Sequence, residues 1–266
     1  MSLSTVLFLF LAHLGVGIVG TLLFVSREAG VKFFRFNYGL AAILIAIALA
    51  FWPSDSEAAT GTFALAALVV SEAAIIVYWA TVGRMLASIR PALIAVAVGA
   101  GVAAVVAQAV SIAAGGLPAT VLAIASFLSS AALLGGACTA MILGHWYLII
   151  PSMQVSHLQS IVKLHIASMI LRVTVVAAAV FLAIATWEPG LGPSFRRYIT
   201  TAAGIFFWQR VLFGLAGPAL LSYLTWETAK IRSTQSATGI LYVDFFTVVV
   251  GEALAKYLLL ATRVPV

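Results

Sequence analysis

The sequence predicts an all-α polytopic membrane protein with eight transmembrane helices, and three observations carry that prediction. Of 266 residues, 64% are hydrophobic and only 8% are charged, against roughly 25% charged in an ordinary soluble domain. The mean hydropathy of +1.17 is spread over the whole chain, which excludes one anchor helix carrying a soluble catalytic head. Apolar runs of about 20 residues, the length of one crossing, recur near 4–25, 36–52, 62–82, 91–113, 119–148, 161–186, 199–226 and 240–261.

Each run is bounded by recognisable punctuation. The first follows MSLST with no basic residue ahead of it, so it reads as a crossing rather than a cleaved leader. The second ends in the polar turn from Trp52 through Pro53, Ser54, Asp55 and Ser56 to Glu57. Arg90 with Pro91, the run from Gly115 to Pro118, Pro151, and the stretch from Glu188 to Pro193 mark later breaks. None of these is long enough to be a separate domain, so residues 1–266 read as one integral membrane domain.

Eight crossings also divide into two sets of four. Residues 1–117 and 118–266 read as possible parallel repeats, each a four-helix bundle. In that alignment Glu72 falls at the depth of Arg210, and Gln108 at that of Lys256. The first and fifth helices share a small-residue stretch, Gly17 to Thr21 against Gly136 to Thr139.

The net charge of +6 is a topology signal rather than a nucleic-acid footprint, because the basic residues are dispersed and form no stripe with interleaved aromatics. Arg27, Lys32, Arg35, Arg84, Arg90, Lys163, Lys230 and Arg232 fall on one side, and Arg196, Arg197 and Arg263 on the other. The basic side reads as cytoplasmic, with both termini outward, in a bacterial or archaeal cytoplasmic membrane. Trp52, Trp187, Trp226, Tyr198 and Tyr223 lie near span ends, as an aromatic belt places them. The single cysteine, Cys138, excludes an internal disulfide and a cysteine-ligated iron–sulfur cluster, so any such cluster belongs to a partner.

The residues most informative about chemistry are those that a bilayer disfavours. Glu72, Arg172, Arg210, Glu252 and Lys256 lie well inside predicted spans. At roughly 3 kcal/mol each, five unpaired charges would cost about 15 kcal/mol, so they must be paired, neutralised or hydrated. Glu252 and Lys256, four residues apart on one helix face, form a candidate local pair. Depth separates two polar layers. His13, Glu72, Gln108, Arg210, Glu252 and Lys256 lie from mid-membrane outward, and His145, Lys163, His165 and Arg172 lie nearer the cytoplasmic face.

The outer layer suits a quinone headgroup, which needs hydrogen-bond partners for its oxygens and a group such as His13 or Glu72 to accept protons. The plainer alternative is that these groups only tie helices together. In the inner layer, His145 and His165 are candidate axial ligands of a b-type haem, with His157 a third. No phosphate loop, HExxH or Gly-x-Ser-x-Gly motif occurs. The glycines at 15, 17 and 20, and at 99 and 101, read as helix-packing positions.

The last helix carries GEALAKYLLL, Gly251 to Leu260. With the eight-helix layout, it resembles the polysulfide reductase and NrfD-type membrane subunits, most closely the dimethyl sulfoxide reductase anchor. That resemblance implies binding of menaquinone or ubiquinone in its reduced form, electron transfer to an iron–sulfur partner subunit, and usually no haem. Only Glu252 and Lys256 carry over at the level of the motif; His13 is placed by depth and chemistry. The resulting expectation is a quinol-interacting subunit of a respiratory oxidoreductase, with no complete catalytic cycle of its own. The alternatives are a secondary transporter with Glu72, Arg210, Glu252 and Lys256 on its path, and a b-haem electron carrier.

Overall fold

The computed structural model describes residues 3–53, 59–113, 116–150, 154–187 and 194–266. The turn from Ser54 to Glu57, Gly115, Pro151 and the stretch from Glu188 to Pro193 lie outside the described residues. Among the described residues the protein is helical with no strand, and eight helical segments are long and apolar enough to cross a membrane. This is an integral membrane architecture, in which every backbone polar group must be satisfied within its own helix.

The crossings are α1 (Leu3–Thr21), α2 (Gly30–Ala50), α3 (Ala59–Thr81), α4 (Arg90–Ile112), α5 (Leu117–Ile149) and α6 (Val155–Ala185), then a broken seventh and a continuous eighth. The short α7 (Phe195–Thr200) precedes the seventh crossing. That crossing runs from a 3-10 turn into α8 (Ile205–Val211), a π-helical turn (Leu212–Ala216) and α9 (Gly217–Lys230). The last crossing is α10 (Thr234–Thr262). Pro91, Pro118 and Pro218 fall in the first turns of α4, α5 and α9, where a missing N–H leaves no helical bond unmade.

Two boundaries differ from the sequence expectation in ways that matter later. α6 begins at Val155 rather than near 161, which carries its polar residues deeper into the protein. α2 begins at Gly30, so Lys32 and Arg35 lie within its first turns rather than in the connection.

The contacts define two rings. In the first, α1 packs on α2, α2 on α3, α3 on α4 and α4 back on α1; in the second, α5, α6, α9 and α10 follow the same order. The rings meet chiefly through α1 against α5, flanked by α4 on α5 and α1 on α10. Glycine makes that seam possible. A Cβ at Gly17 would run into the Ala131 carbonyl, and one at Gly135 would run into the backbone of Gly17. Close backbone approach is how helices associate where lipid removes any hydrophobic drive between them.

On the face away from both helix ends Leu3 and Thr262, side chains lock the connections together. His157 Nε2 lies 2.8 Å from Glu28 Oε2, and Trp146 Nε1 donates to the Ala29 carbonyl at 3.1 Å. The Tyr147 hydroxyl donates to the Gln154 carbonyl and accepts from the Leu158 N–H. Trp226 lies under two cations, Lys163 at 5.2 Å and Lys230 at 5.4 Å from its ring centre.

Candidate functional site

On α10, Asp244, Val248, Glu252 and Lys256 recur every four residues, so they form one stripe along the helix, and all four are buried. This stripe faces α5, α6 and α8, and it builds two polar centres at different depths.

The first centre is organised by Glu252, which is 0% exposed. Its Oε1 accepts from Arg172 Nε at 2.9 Å and from Arg210 Nη2 at 2.7 Å; its Oε2 accepts from Arg172 Nη2 at 3.1 Å and from the Ser130 hydroxyl at 2.5 Å. Lys256 Nζ donates to Ser130 Oγ at 2.8 Å. Glu252 and Lys256 are therefore joined through Ser130 of α5 rather than as the direct pair their spacing suggests. Two guanidiniums and an amine share one carboxylate. Taking one partner from such a buried cluster leaves an uncompensated charge, at about 3–5 kcal/mol.

The two arginines differ in how fully they are satisfied. Arg172 Nη1 donates to both the carbonyl and the hydroxyl of Ser126, and Nη2 also reaches the Val266 carbonyl at 3.2 Å. All five of its N–H donors are thus engaged. Arg210 uses Nη2, while its Nε and Nη1 are buried without hydrogen-bond partners among the described residues. Its guanidinium fits between two helices because Gly214 and Gly251 lie there; a Cβ on Gly214 would strike Nη1. The π-helical turn begins two residues after Arg210, and such local widening of a helix recurs at functional sites.

Phe127 carries this centre toward the first ring. Its face lies 5.0 Å from Lys256 Nζ, and the His13 ring packs edge-on at 4.8 Å between centroids. His13 is 0% exposed, and neither ring nitrogen has a hydrogen-bond partner among the described residues. Gln108 is likewise buried and lies close to the His13 ring without hydrogen-bond geometry, and its side-chain polar atoms have no other partner among the described residues. His13 lies within electrostatic reach of Lys256, Glu252 and Arg172. Unpaired buried polar atoms of this kind call for water or a ligand.

Phe127 also floors a cavity of about 290 Å³. Its walls include Ala123, Leu182, Trp187, Phe195 and Val264, so it lies at the end of the molecule where α1 begins and α10 ends. Ligand pockets commonly span roughly 300–1,000 Å³, so this one is at the small end of that range.

The second centre pairs His165, a candidate haem ligand from the sequence, with Asp244, which the sequence reading did not single out. His165 Nε2 lies 2.6 Å from Asp244 Oδ2, and both side chains are 0% exposed. The His165 ring sits against Gly136, where an added Cβ would come 3.5 Å from Nδ1. His145, nine residues further along α5 and so about 13 Å away along its axis, is exposed and lies 3.0 Å from the Tyr242 hydroxyl. The two histidines therefore differ in depth and in face, and they are not brought together as axial ligands of one haem. His157 is taken up by Glu28 at the connection. Among the described residues, no group of three or more His, Cys, Asp or Glu side chains could hold a metal ion.

Five of the outer-layer candidates lie around one place: Arg210, Glu252 and Lys256 in the cluster, with His13 beside it and Gln108 adjoining. Two assignments are corrected. Arg172, read as nearer the cytoplasmic face, is the bidentate partner of Glu252, because α6 starts six residues earlier and places Arg172 deeper. Glu72 stays apart on α3, where its Oε2 is buried without a hydrogen-bond partner among the described residues and no ion pair reaches it. Ser126, Ser130 and Asp244 were missed. Serine in an apolar run carries no signal of its own, whereas Asp244 was legible as the first member of the four-residue stripe. In comparisons with known proteins, no family model and no curated protein matches this chain.

Proposed function

We propose that this chain is a quinol-interacting membrane subunit of a respiratory oxidoreductase, receiving a quinone headgroup in the Phe127-floored cavity. The observation that supports the reading best is the meeting of two features at one ring. Phe127 lines a cavity of mixed polar and apolar lining, and against that ring lie the buried His13, with Gln108 beside it, and Lys256 over its face. A quinone brings oxygens that pair with such donors and a flat ring that suits an aromatic floor. Oxidising a quinol releases two protons and two electrons. His13, packed against Phe127, would take one proton and water at the mouth of the cavity the other, while both electrons would pass to an iron–sulfur cluster of a partner subunit, since one buried cysteine cannot hold a cluster.

The carrier alternative is less well supported. Its charges would have to line a path, yet Arg172, Arg210 and Glu252 are spent on one another and Glu72 lies outside the group. Titration of the purified protein with a short-chain menaquinone or ubiquinone analogue tests the proposal. Saturable binding that is weakened at least tenfold by His13→Leu is expected. Absence of saturable binding to the folded protein would overturn it.

A further inference from the structure

The connections from α1 to α2 and from α3 to α4 lie at one end of the first ring, and their cations are not neutralised there. Residues 22–35 and 82–90 carry Arg27, Lys32, Arg35, Arg84 and Arg90 against one acid, Glu28, and that acid is held by His157. Among the described residues no ion pair reaches any of the five. The second ring treats its cations differently at the same end. Lys230 lies 2.6 Å from Glu227 and shares the Trp226 ring with Lys163.

Two of the five cations converge. Arg90, the first residue of α4, turns back so that Nη2 donates to the Met85 carbonyl at 3.0 Å and the Thr81 carbonyl at 3.3 Å, which leaves Nη1 without a hydrogen bond among the described residues. Its guanidinium is thereby fixed at the end of α3, within electrostatic reach of Tyr78, and Arg27 reaches Tyr78 from the other connection. The two connections meet because Gly83, with φ of 77°, rests on α2; a Cβ there would come 2.5 Å from Val31 Cγ1. Tyr78 is held by its ring, 4.1 Å from that of Tyr38, while its hydroxyl makes no hydrogen bond among the described residues. The other cations are placed differently: Arg35 stacks on Trp79 at 5.7 Å, and Lys32 and Arg84 are exposed.

Two guanidiniums and a hydroxyl with no carboxylate among them form an anion site, and the forked donors of arginine suit a phosphate. Depth and surroundings narrow the anion further. Thr81 ends one crossing and Arg90 begins the next, so the site lies where helices leave the hydrocarbon, at the level of lipid headgroups. Leu23, Phe24, Met85 and Leu86 of the same connections are exposed, and such side chains favour an amphipathic ligand over a soluble one.

We propose that Arg27, Arg90 and Tyr78 hold the phosphate of one anionic phospholipid, with its apolar body against the exposed residues of the two connections. Arg90 is the fixed donor, and Arg27, whose side chain is exposed and unbonded among the described residues, closes on the ligand. This site lies at the opposite end of the first ring from the Phe127 cavity and does not rest on the function proposed above. A defined site also differs from the diffuse attraction of a charged leaflet, which would treat Lys32 and Arg84 like Arg27.

Native mass spectrometry of the full chain in detergent micelles, with phosphatidylglycerol or phosphatidylcholine added, tests the proposal. One phosphatidylglycerol should be retained at least tenfold more tightly than phosphatidylcholine; equal retention would overturn the site. Arg27→Gln should weaken that binding at least tenfold and Tyr78→Phe at least threefold, whereas Lys32→Gln and Arg84→Gln should change it less than twofold. Equal losses from Arg27→Gln, Lys32→Gln and Arg84→Gln would overturn a defined site in favour of the diffuse field. Inorganic phosphate at the lipid's concentration should not compete, and full competition would overturn a lipid as the ligand. Arg90 also ties Thr81 to Met85, so Arg90→Gln risks misfolding; Arg27→Gln removes no such bond and keeps the test decidable.

Discussion

The two rings of helices differ in how their buried charged and polar side chains meet one another. In the second ring the buried charges lie against one another: Glu252 joins two arginines and Ser130, and His165 meets Asp244, with Arg210 Nε and Nη1 left over among the described residues. In the first ring His13, Gln108 and Glu72 are also buried, yet both His13 nitrogens, both Gln108 side-chain polar atoms and Glu72 Oε2 have no hydrogen bond among the described residues. Protein groups that satisfy one another hold a structure together. Groups left unsatisfied in a low-dielectric interior are retained against a penalty, commonly because something else completes them. On the proposed function, the second ring is the scaffold of the site and His13 and Gln108 of the first ring are the groups a ligand would complete.

That contrast breaks most severely at its centre. Glu252→Gln removes the counter-charge of Arg172 and Arg210 together and should cost about 3–5 kcal/mol, enough to abolish most folded yield in a protein of ordinary stability. Size-exclusion profiles and thermal melts in detergent read this directly, and a variant with a normal melt would show that the cluster is not structural. The seam between the rings comes next. Gly135→Val places a branched side chain against the Gly17 backbone and should cost about 2–3 kcal/mol, seen as a lowered melting temperature.

Smaller effects sharpen the comparison. Asp244→Asn leaves His165 with a weaker partner, for a loss of about 1–3 kcal/mol measured by the same melts. His13→Leu is expected to behave oppositely, because replacing an unpaired buried polar group by an apolar one of similar size is close to neutral or stabilising. It should leave the melt within about 1 kcal/mol while analogue binding falls. Glu72→Gln should change neither stability nor analogue affinity by more than about 1 kcal/mol, since no charge partner is lost. A tenfold loss of affinity would place Glu72 in the site after all.

How far the sequence disclosed this arrangement differs by level. The eight crossings were legible because a bilayer imposes apolar length directly on the chain, and most predicted runs agree with the helices to within a few residues. Mid-span charges were legible for the same reason. Which of them meet was not, because that depends on helix rotation and on where each helix starts. Six extra residues at the start of α6 moved Arg172 from one layer to the other. The same shift took His165 away from His145, whose helix face had no signal in an apolar run uniform around its circumference. Glu72 matches Arg210 in depth but projects into a different ring, a distinction that depth alone does not encode. Asp244 was overlooked although the stripe through Val248 to Glu252 and Lys256 announces its face.

The seam at Gly17 and Gly135 has a mechanical consequence. Where Gly17 meets Gly135, main chain rests on main chain with no side chain between to swivel and accommodate a new angle, so the halves cannot tilt about that point without prising the contact apart. The assembly should move as a single block, and whatever motion accompanies its work belongs at the periphery, in short segments that can swing while the eight crossings keep their places.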